Sequence, residues 1–104
     1  MEIYDLIIIG AGPAGLTSSI YASCYHLKNL VIGNVLGGQL QFAPDILNYP
    51  GFEDVSGKEL TQRMVKQTKA RGGELVAQSV SKISTRPAPI ASSNADSTLT
   101  ISRS

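Results

Sequence analysis

The sequence predicts an α/β fold with a central parallel sheet. Two short apolar segments, Leu6–Ile9 and Asn29–Ile32, have the composition of buried strands. A helix-forming segment lies between them, and the whole unit spans about thirty residues, the size expected of a strand–helix–strand crossover. The 104 residues, 42% hydrophobic and 16% charged, suit one small globular domain.

The first predicted strand extends from Ile3 to Ile9 and is dense in branched apolar residues. Such a run is typical of a strand covered on both faces. We therefore predict that it lies at the centre of the parallel sheet.

The first predicted helix extends from Pro13 to about Tyr25, and the second strand is Asn29–Ile32. The apolar positions of the helix recur with helical spacing: Ala14, Leu16, Ile20, Tyr21 and Cys24. Cys24 is the single cysteine of the chain, so it cannot form an intramolecular disulfide. It is interpreted as a packing or surface residue, because no sequence feature supplies an activating partner.

A long irregular stretch is predicted from Gly33 to Val55. Structureless loops of this length are uncommon in compact domains unless they bind something. A capping box at Ser56 and Glu59 then begins a second helix. One face of that helix carries Leu60, Met64, Val65 and Thr68.

Gly72 and Gly73 end the second helix, and residues 74–76 are predicted as a third strand. Val80 and Ile83 continue an extended segment. Residues 84–97 are rich in Ser, Ala and Pro, which predicts a loop. Residues 98–101 regain the alternation of a short, antiparallel strand.

The most informative motif is the glycine-rich turn between the first strand and the first helix, Gly10-Ala11-Gly12-Pro13-Ala14-Gly15. In this context Gly10 permits a tight turn, Gly12 lets the backbone approach a pyrophosphate, and Gly15 lets helix and strand pack closely. The diphosphate would lie at the helix N-terminus, where unpaired amides favour negative charge. Pro13 suits the first helical turn, and the motif predicts a nucleotide site.

The residue after the second strand bears on which nucleotide is bound. Many dinucleotide sites carry an acidic residue there to bind the ribose, but this chain has Gly33. The absence weakens an NAD interpretation and leaves the ribose to backbone groups or water. An isolated NAD-dependent dehydrogenase is further disfavoured because the chain has no catalytic His, Lys or Tyr constellation.

From Ile3 to about Ile83 the chain resembles the opening of bacterial and archaeal thioredoxin reductases. Beyond the glycine-rich turn, the resemblance rests on Ile20-Tyr21-Ala22, Leu30-Val31-Ile32, Gly37-Gly38-Gln39-Leu40, Asn48-Tyr49-Pro50-Gly51-Phe52 and Ser56-Gly57 with Glu59-Leu60. In that family this region is a Rossmann-type unit that binds FAD. Electrons pass from NADPH through the flavin to a redox-active disulfide and then to thioredoxin.

The resemblance implies a set of cofactor-binding residues: Gly10, Gly12, Pro13, Ala14 and Gly15 at the pyrophosphate, Gly33, Gly37, Gly38 and Gln39 along the adenosine and ribityl part, Asn48 near the flavin, and the backbone around Val80 at the adenine. Plain structural alternatives remain open for some of these residues. Gly37 and Gly38 could form an ordinary turn, and Asn48 could be a turn-former beside Pro50. Tyr49 and Phe52 are expected to cap the core rather than to stack on the flavin.

The family's Cys-x-x-Cys pair and its second glycine motif, which binds NADPH, are absent from these residues. We therefore expect residues 1–104 to be a truncated FAD-binding domain, with residues 84–104 a weakly defined loop and terminal strand, and without catalytic competence alone. The alternative is a non-catalytic module that binds FAD or its ADP part. Thioredoxin would be a partner of the complete enzyme, and because family members are commonly homodimers, a homodimer is a possible assembly.

The net charge of +1 gives no basic field for nucleic acid or anionic lipid. The longest apolar run has four residues, Leu6 to Ile9, which is too short to span a bilayer. Glu2 and Asp5 occupy the region where a secretory signal would be positively charged. These features lead us to expect a cytoplasmic protein without a nucleic-acid or membrane partner.

Overall fold

The computed structural model describes residues 3–87 and 97–103. Its elements are β1 (Leu6–Ile9), α1 (Pro13–Cys24), β2 (Asn29–Ile32), a 3₁₀ helix (Gly38–Phe42), α2 (Gly57–Ala70), β3 (Glu74–Val76), β4 (Val80–Pro87) and β5 (Ser97–Arg103). Strands β1, β2 and β3 form a parallel sheet in that order, and β4 pairs with β5 in a separate antiparallel sheet. The predicted α/β fold with a parallel sheet is confirmed.

The centre of the parallel sheet is β2, whose four residues are all buried. The prediction that the first strand is central is wrong for this structure. β1 is an edge strand, and among the described residues no strand pairs with its outer side. Leu6 and Ile9 are accordingly 38% and 50% exposed. An apolar run predicts burial between layers, but it carries no information about strand order.

The buried face of α1 also differs from the prediction. Leu16, Ser19 and Ala22 are buried, whereas Tyr21, predicted on the apolar face, is 64% exposed. Ser19 can be buried because its hydroxyl donates to the side-chain oxygen of Asn29 on β2. The Asn29 amide in turn donates to the Ser23 hydroxyl at 3.0 Å. A paired polar network therefore replaces apolar packing between α1 and β2.

Helix α2 begins as predicted. The Ser56 hydroxyl accepts a hydrogen bond from the Glu59 amide at 3.1 Å, which satisfies one of the free amides of the first turn. The buried face includes Leu60, Met64 and Thr68, and the first two pack with Leu16 of α1 in the core.

The predicted irregular stretch is more ordered than expected. It contains the 3₁₀ helix and a pair of hydrogen bonds between Ile46 and Val55, with N···O distances of 2.8 and 3.2 Å. Phe52 packs against the core cluster, and its ring centroid lies 6.1 Å from that of Tyr49. The core-capping interpretation of Phe52 is therefore confirmed. The pairing of Ile46 with Val55 and the packing of Phe52 on the core are tertiary contacts that local pattern does not reveal.

The third strand is confirmed at Glu74–Val76, parallel to β2. The predicted extended segment is the start of β4, which continues to Pro87, and the terminal strand is β5, antiparallel to β4. The rest of the predicted loop, residues 88–96, lies outside the described residues. No helix in the described ranges is both long and apolar enough to cross a bilayer.

Candidate nucleotide-binding site

The glycine-rich turn joins β1 to α1 in a conformation that two of its glycines require. Gly10 has φ +115°, and its amide donates to the Ile32 carbonyl at 2.8 Å. A Cβ on Gly15 would lie 1.9 Å from the Gly10 carbonyl oxygen and 3.3 Å from Cγ2 of Ile8. Gly15 is therefore needed for the close packing of α1 on the turn, as the motif predicts.

The N-terminus of α1 is left without a protein cap. Gly12 is the N-cap residue, no side chain caps the helix, the first turn contains no acidic residue, and Pro13 occupies its start. The amides of Ala14 and Gly15 have no acceptor among the described residues. Amides of this kind, together with the helix dipole, form an anion-binding site.

The segment that follows β2 packs directly on the glycine-rich turn. A Cβ on Gly33 would lie 2.5 Å from Cβ of Ala11, so no carboxylate side chain fits at this position. The Gly37 amide donates to the Ala11 carbonyl at 2.7 Å. Gly38 has φ +62°, and a Cβ there would lie 3.0 Å from Cα of Gly12. Two backbone segments thus form a narrow cradle at the start of α1.

Gly37 has φ +95°, and a Cβ there would lie 2.9 Å from Cβ of Thr61 on α2. Turn geometry and packing therefore both favour glycine at this position. The ordinary-turn interpretation and the cofactor interpretation of Gly37 are compatible, since the same turn presents Gly38 to Gly12.

The structure brings together six of the predicted site residues: Gly10, Gly12, Gly15, Gly33, Gly37 and Gly38. Pro13 and Ala14 adjoin them in the first turn of α1, and Gln39 is exposed in the 3₁₀ helix. Asn48 is exposed in the loop before Phe52, and Val80 is half-buried at the start of β4. No hydrogen bond within the described residues links Asn48 or Val80 to the glycine cluster.

Asn34 is a candidate that the sequence reasoning missed. It directly follows Gly33 at the carboxyl end of β2 and is exposed. This is the edge of the sheet where dinucleotide sites bind the ribose. The sequence does contain a signal for Asn34, since it is a polar residue one position after the site of the usual acid. The prediction considered only position 33 and therefore missed it.

The described residues offer no redox or metal centre. No group of three or more His, Cys, Asp or Glu side chains lies close enough in residues 3–84 to hold a metal ion. Cys24 is a free, exposed cysteine. His26 has φ +61° just beyond α1, and its amide donates to the Ser23 carbonyl at 3.0 Å.

Comparison with known proteins gives a consistent family assignment. The family model described as pyridine nucleotide-disulphide oxidoreductase matches residues 4–101. Thioredoxin reductase from Bacillus subtilis is 47% identical over 74 residues, which cover 70% of this chain and 23% of that protein. NADPH-dependent thioredoxin reductase 3 from Arabidopsis thaliana is 41% identical over 93 residues, with coverages of 84% and 18%.

Among solved structures, thioredoxin reductase from Lactococcus lactis superposes with a TM-score of 0.77 at 32% identity. The match covers 94% of this chain and 33% of that one. The chain thus spans about a fifth of the length of the two curated relatives, and its α/β fold matches their Rossmann-like FAD-binding domain. It belongs to the pyridine nucleotide-disulphide oxidoreductase family, a flavin-dependent family, and corresponds to the FAD-binding region of thioredoxin reductases.

Proposed function

We propose that this chain binds FAD, with the pyrophosphate of the cofactor at the N-terminus of α1. The observation that carries the proposal is the uncapped first turn of α1, whose Ala14 and Gly15 amides have no acceptor in the described part of the chain. An anion there would satisfy these donors and would interact favourably with the helix dipole.

The geometry at Gly12 fits this role. Its φ of −82° is accessible to any residue, and the nearest atom to a Cβ there would be Cα of Gly38, at 4.0 Å. Neither backbone strain nor internal packing requires a glycine at this position, although glycine is a favourable N-cap residue. The absence of a side chain leaves the Gly12 backbone open to close approach by a ligand.

The remaining contacts follow from where the residues lie. Gly33, Gly37 and Gly38 would lie along the adenosine and ribityl part, and the exposed amide of Asn34 would bind the ribose in place of the usual acid. Gln39 would donate a side-chain hydrogen bond to the cofactor. Asn48 near the flavin and the backbone at Val80 near the adenine are supported by family resemblance alone.

Bound FAD supplies the capacity to accept and pass on a hydride. The residues of this chain hold and orient the cofactor. Its one cysteine cannot form an intrachain disulfide, so the dithiol, the NADPH site and the thioredoxin partner belong to a complete protein. We propose that such a protein is a cytoplasmic homodimer that reduces thioredoxin.

The decisive experiment is an absorbance spectrum of the purified chain after incubation with FAD and removal of the excess by gel filtration. We expect a retained visible flavin band and its loss in Gly12→Val, with ADP as a competitor for the same site. A colourless wild-type chain whose circular dichroism shows the native fold would contradict the proposal.

A second function, a non-catalytic module that binds FAD or ADP, agrees with the exposed, unpartnered Cys24. The two functions are distinguished by which motifs the complete reading frame encodes. A downstream Cys-x-x-Cys and a second glycine motif would support the reductase, and their absence from the complete frame would support the module.

A further inference from the structure

A second concave surface lies along α2 and adjoins the glycine cradle at Leu36 and Thr61. It is an open depression with a volume of about 470 Å³, lined by Leu36, Gln41, Lys58, Thr61, Gln62, Val65, Lys66 and Lys69. We call it the α2 cavity. None of these residues belongs to the predicted cofactor-binding set, and the volume lies within the range of small-molecule sites.

All the charged residues that line the α2 cavity are basic. Three of its eight lining residues are lysines and none is acidic. The only ion pair of α2 in the described residues joins Arg63 to Glu59 at 3.2 Å, so Lys58, Lys66 and Lys69 have no carboxylate partner within them. The unpaired amines therefore favour an anionic ligand.

Lys66 and Lys69 are separated by three positions on α2, so their side chains emerge on neighbouring turns. Two amines at this spacing can hold one anionic group between them. Lys58 lies at the other end of the cavity, about 16 Å from Lys69 along the helix axis.

The remaining lining residues favour a ligand with an apolar body and polar groups at its edges. Leu36 and Val65 are half-buried and supply apolar surface. The side-chain amides of Gln41 and Gln62 have no hydrogen-bond partner among the described residues and are free to bind a ligand. The Thr61 hydroxyl, by contrast, already donates to the Gly57 carbonyl at 2.9 Å.

We propose that the α2 cavity binds a small amphipathic anion, with a phosphate or carboxylate group between Lys66 and Lys69 and an aromatic or aliphatic body against Leu36 and Val65. This site shares no residue with the set assigned to FAD. Leu36 and Gln41 flank the segment that contains Gly37 and Gly38, so the ligand would also contact the loop that forms the glycine cradle.

The test uses the full chain, labelled with ¹⁵N, and follows amide chemical shifts during titration with 2-naphthyl phosphate. Shifts are expected at Leu36, Gln41 and Lys66, and they should persist when ADP saturates the glycine cradle. Inorganic phosphate and 2-naphthol should each bind more weakly than 2-naphthyl phosphate. Equal binding by inorganic phosphate, or shifts confined to the glycine-rich turn, would overturn the proposal.

The variant Lys66→Gln/Lys69→Gln removes two charges from an exposed helix face and should bind the probe about fivefold more weakly. The control Lys82→Gln removes an exposed lysine from β4 and should bind like the wild type. An unchanged affinity in the double variant, with circular dichroism showing a native fold, would also overturn the proposal. Retention of FAD reports on the other site and does not bear on this one.

Discussion

The N-termini of the two helices differ in how their free amides are satisfied. Helix α2 begins with Ser56, whose hydroxyl accepts from the Glu59 amide at 3.1 Å, and it has an acidic residue in its first turn. Helix α1 begins with Gly12 and Pro13, and has neither a side-chain cap nor an acidic residue. Both helices pack on the same core, so burial does not account for the difference.

The contrast indicates a division of roles between two similar elements. The first turn of α2 is capped by the Ser56 side chain, so we assign no ligand to the N-terminus of this helix. The first turn of α1 keeps its donors available beside Gly38, which is why we propose this helix as the binding site. An uncapped helix start is an energetic cost that a bound anion would offset.

The largest effect is expected from Gly15→Ala, which would place a methyl group 1.9 Å from the Gly10 carbonyl oxygen. The clash is with backbone atoms of Gly10, which can move only if the turn or α1 is displaced. The free energy of unfolding should therefore fall by about 3 kcal/mol. Urea denaturation followed by circular dichroism measures the change. Stability equal to that of the wild type would show that α1 is not pressed against the turn.

The next effect concerns binding rather than stability. Gly12→Val should weaken FAD binding about a hundredfold, or ~2.7 kcal/mol, because the side chain would occupy the approach of the pyrophosphate. The free energy of unfolding should fall by less than about 1 kcal/mol, the usual effect at an N-cap. Flavin fluorescence titration and urea denaturation separate the two quantities.

Gly12→Ala is the matched partner of Gly15→Ala, since both add one methyl group to the same turn. The Cβ at position 12 has its nearest neighbour at 4.0 Å, so this variant should fold and lose affinity for FAD. If instead it lost stability as Gly15→Ala does and kept its affinity, the assignment of α1 to ligand binding would fail.

The smallest effect is expected at the other helix. Ser56→Ala removes the cap of α2 and should lower the free energy of unfolding by about 1 kcal/mol, with FAD affinity unchanged. Ser18→Ala is the control: the Ser18 hydroxyl donates to the Ala14 carbonyl at 2.8 Å on an exposed surface, and its loss should change stability by only a few tenths of a kcal/mol. Thermal unfolding of both variants makes the comparison.

Much of the parallel unit could be predicted because its signals are local. The capping box at Ser56, the turn at Gly10 and the close packing at Gly15 each depend on a few consecutive residues. The position of β1 in the sheet could not be predicted, since an apolar strand fits a central or an edge place equally well. The buried face of α1 was missed because the Ser19 hydroxyl pairs with Asn29, ten residues away.

The sequence by itself determined the strand–helix–strand unit, the glycine-rich turn and the capped second helix, because backbone preference and hydrophobic period act over short distances. Only the tertiary structure decided that Gly33 packs on Ala11, that Gly38 lies against Gly12, and that Ile46 pairs with Val55. These contacts join segments separated by 9 to 26 positions in the sequence. They form when the whole chain packs, and local propensity therefore cannot specify them.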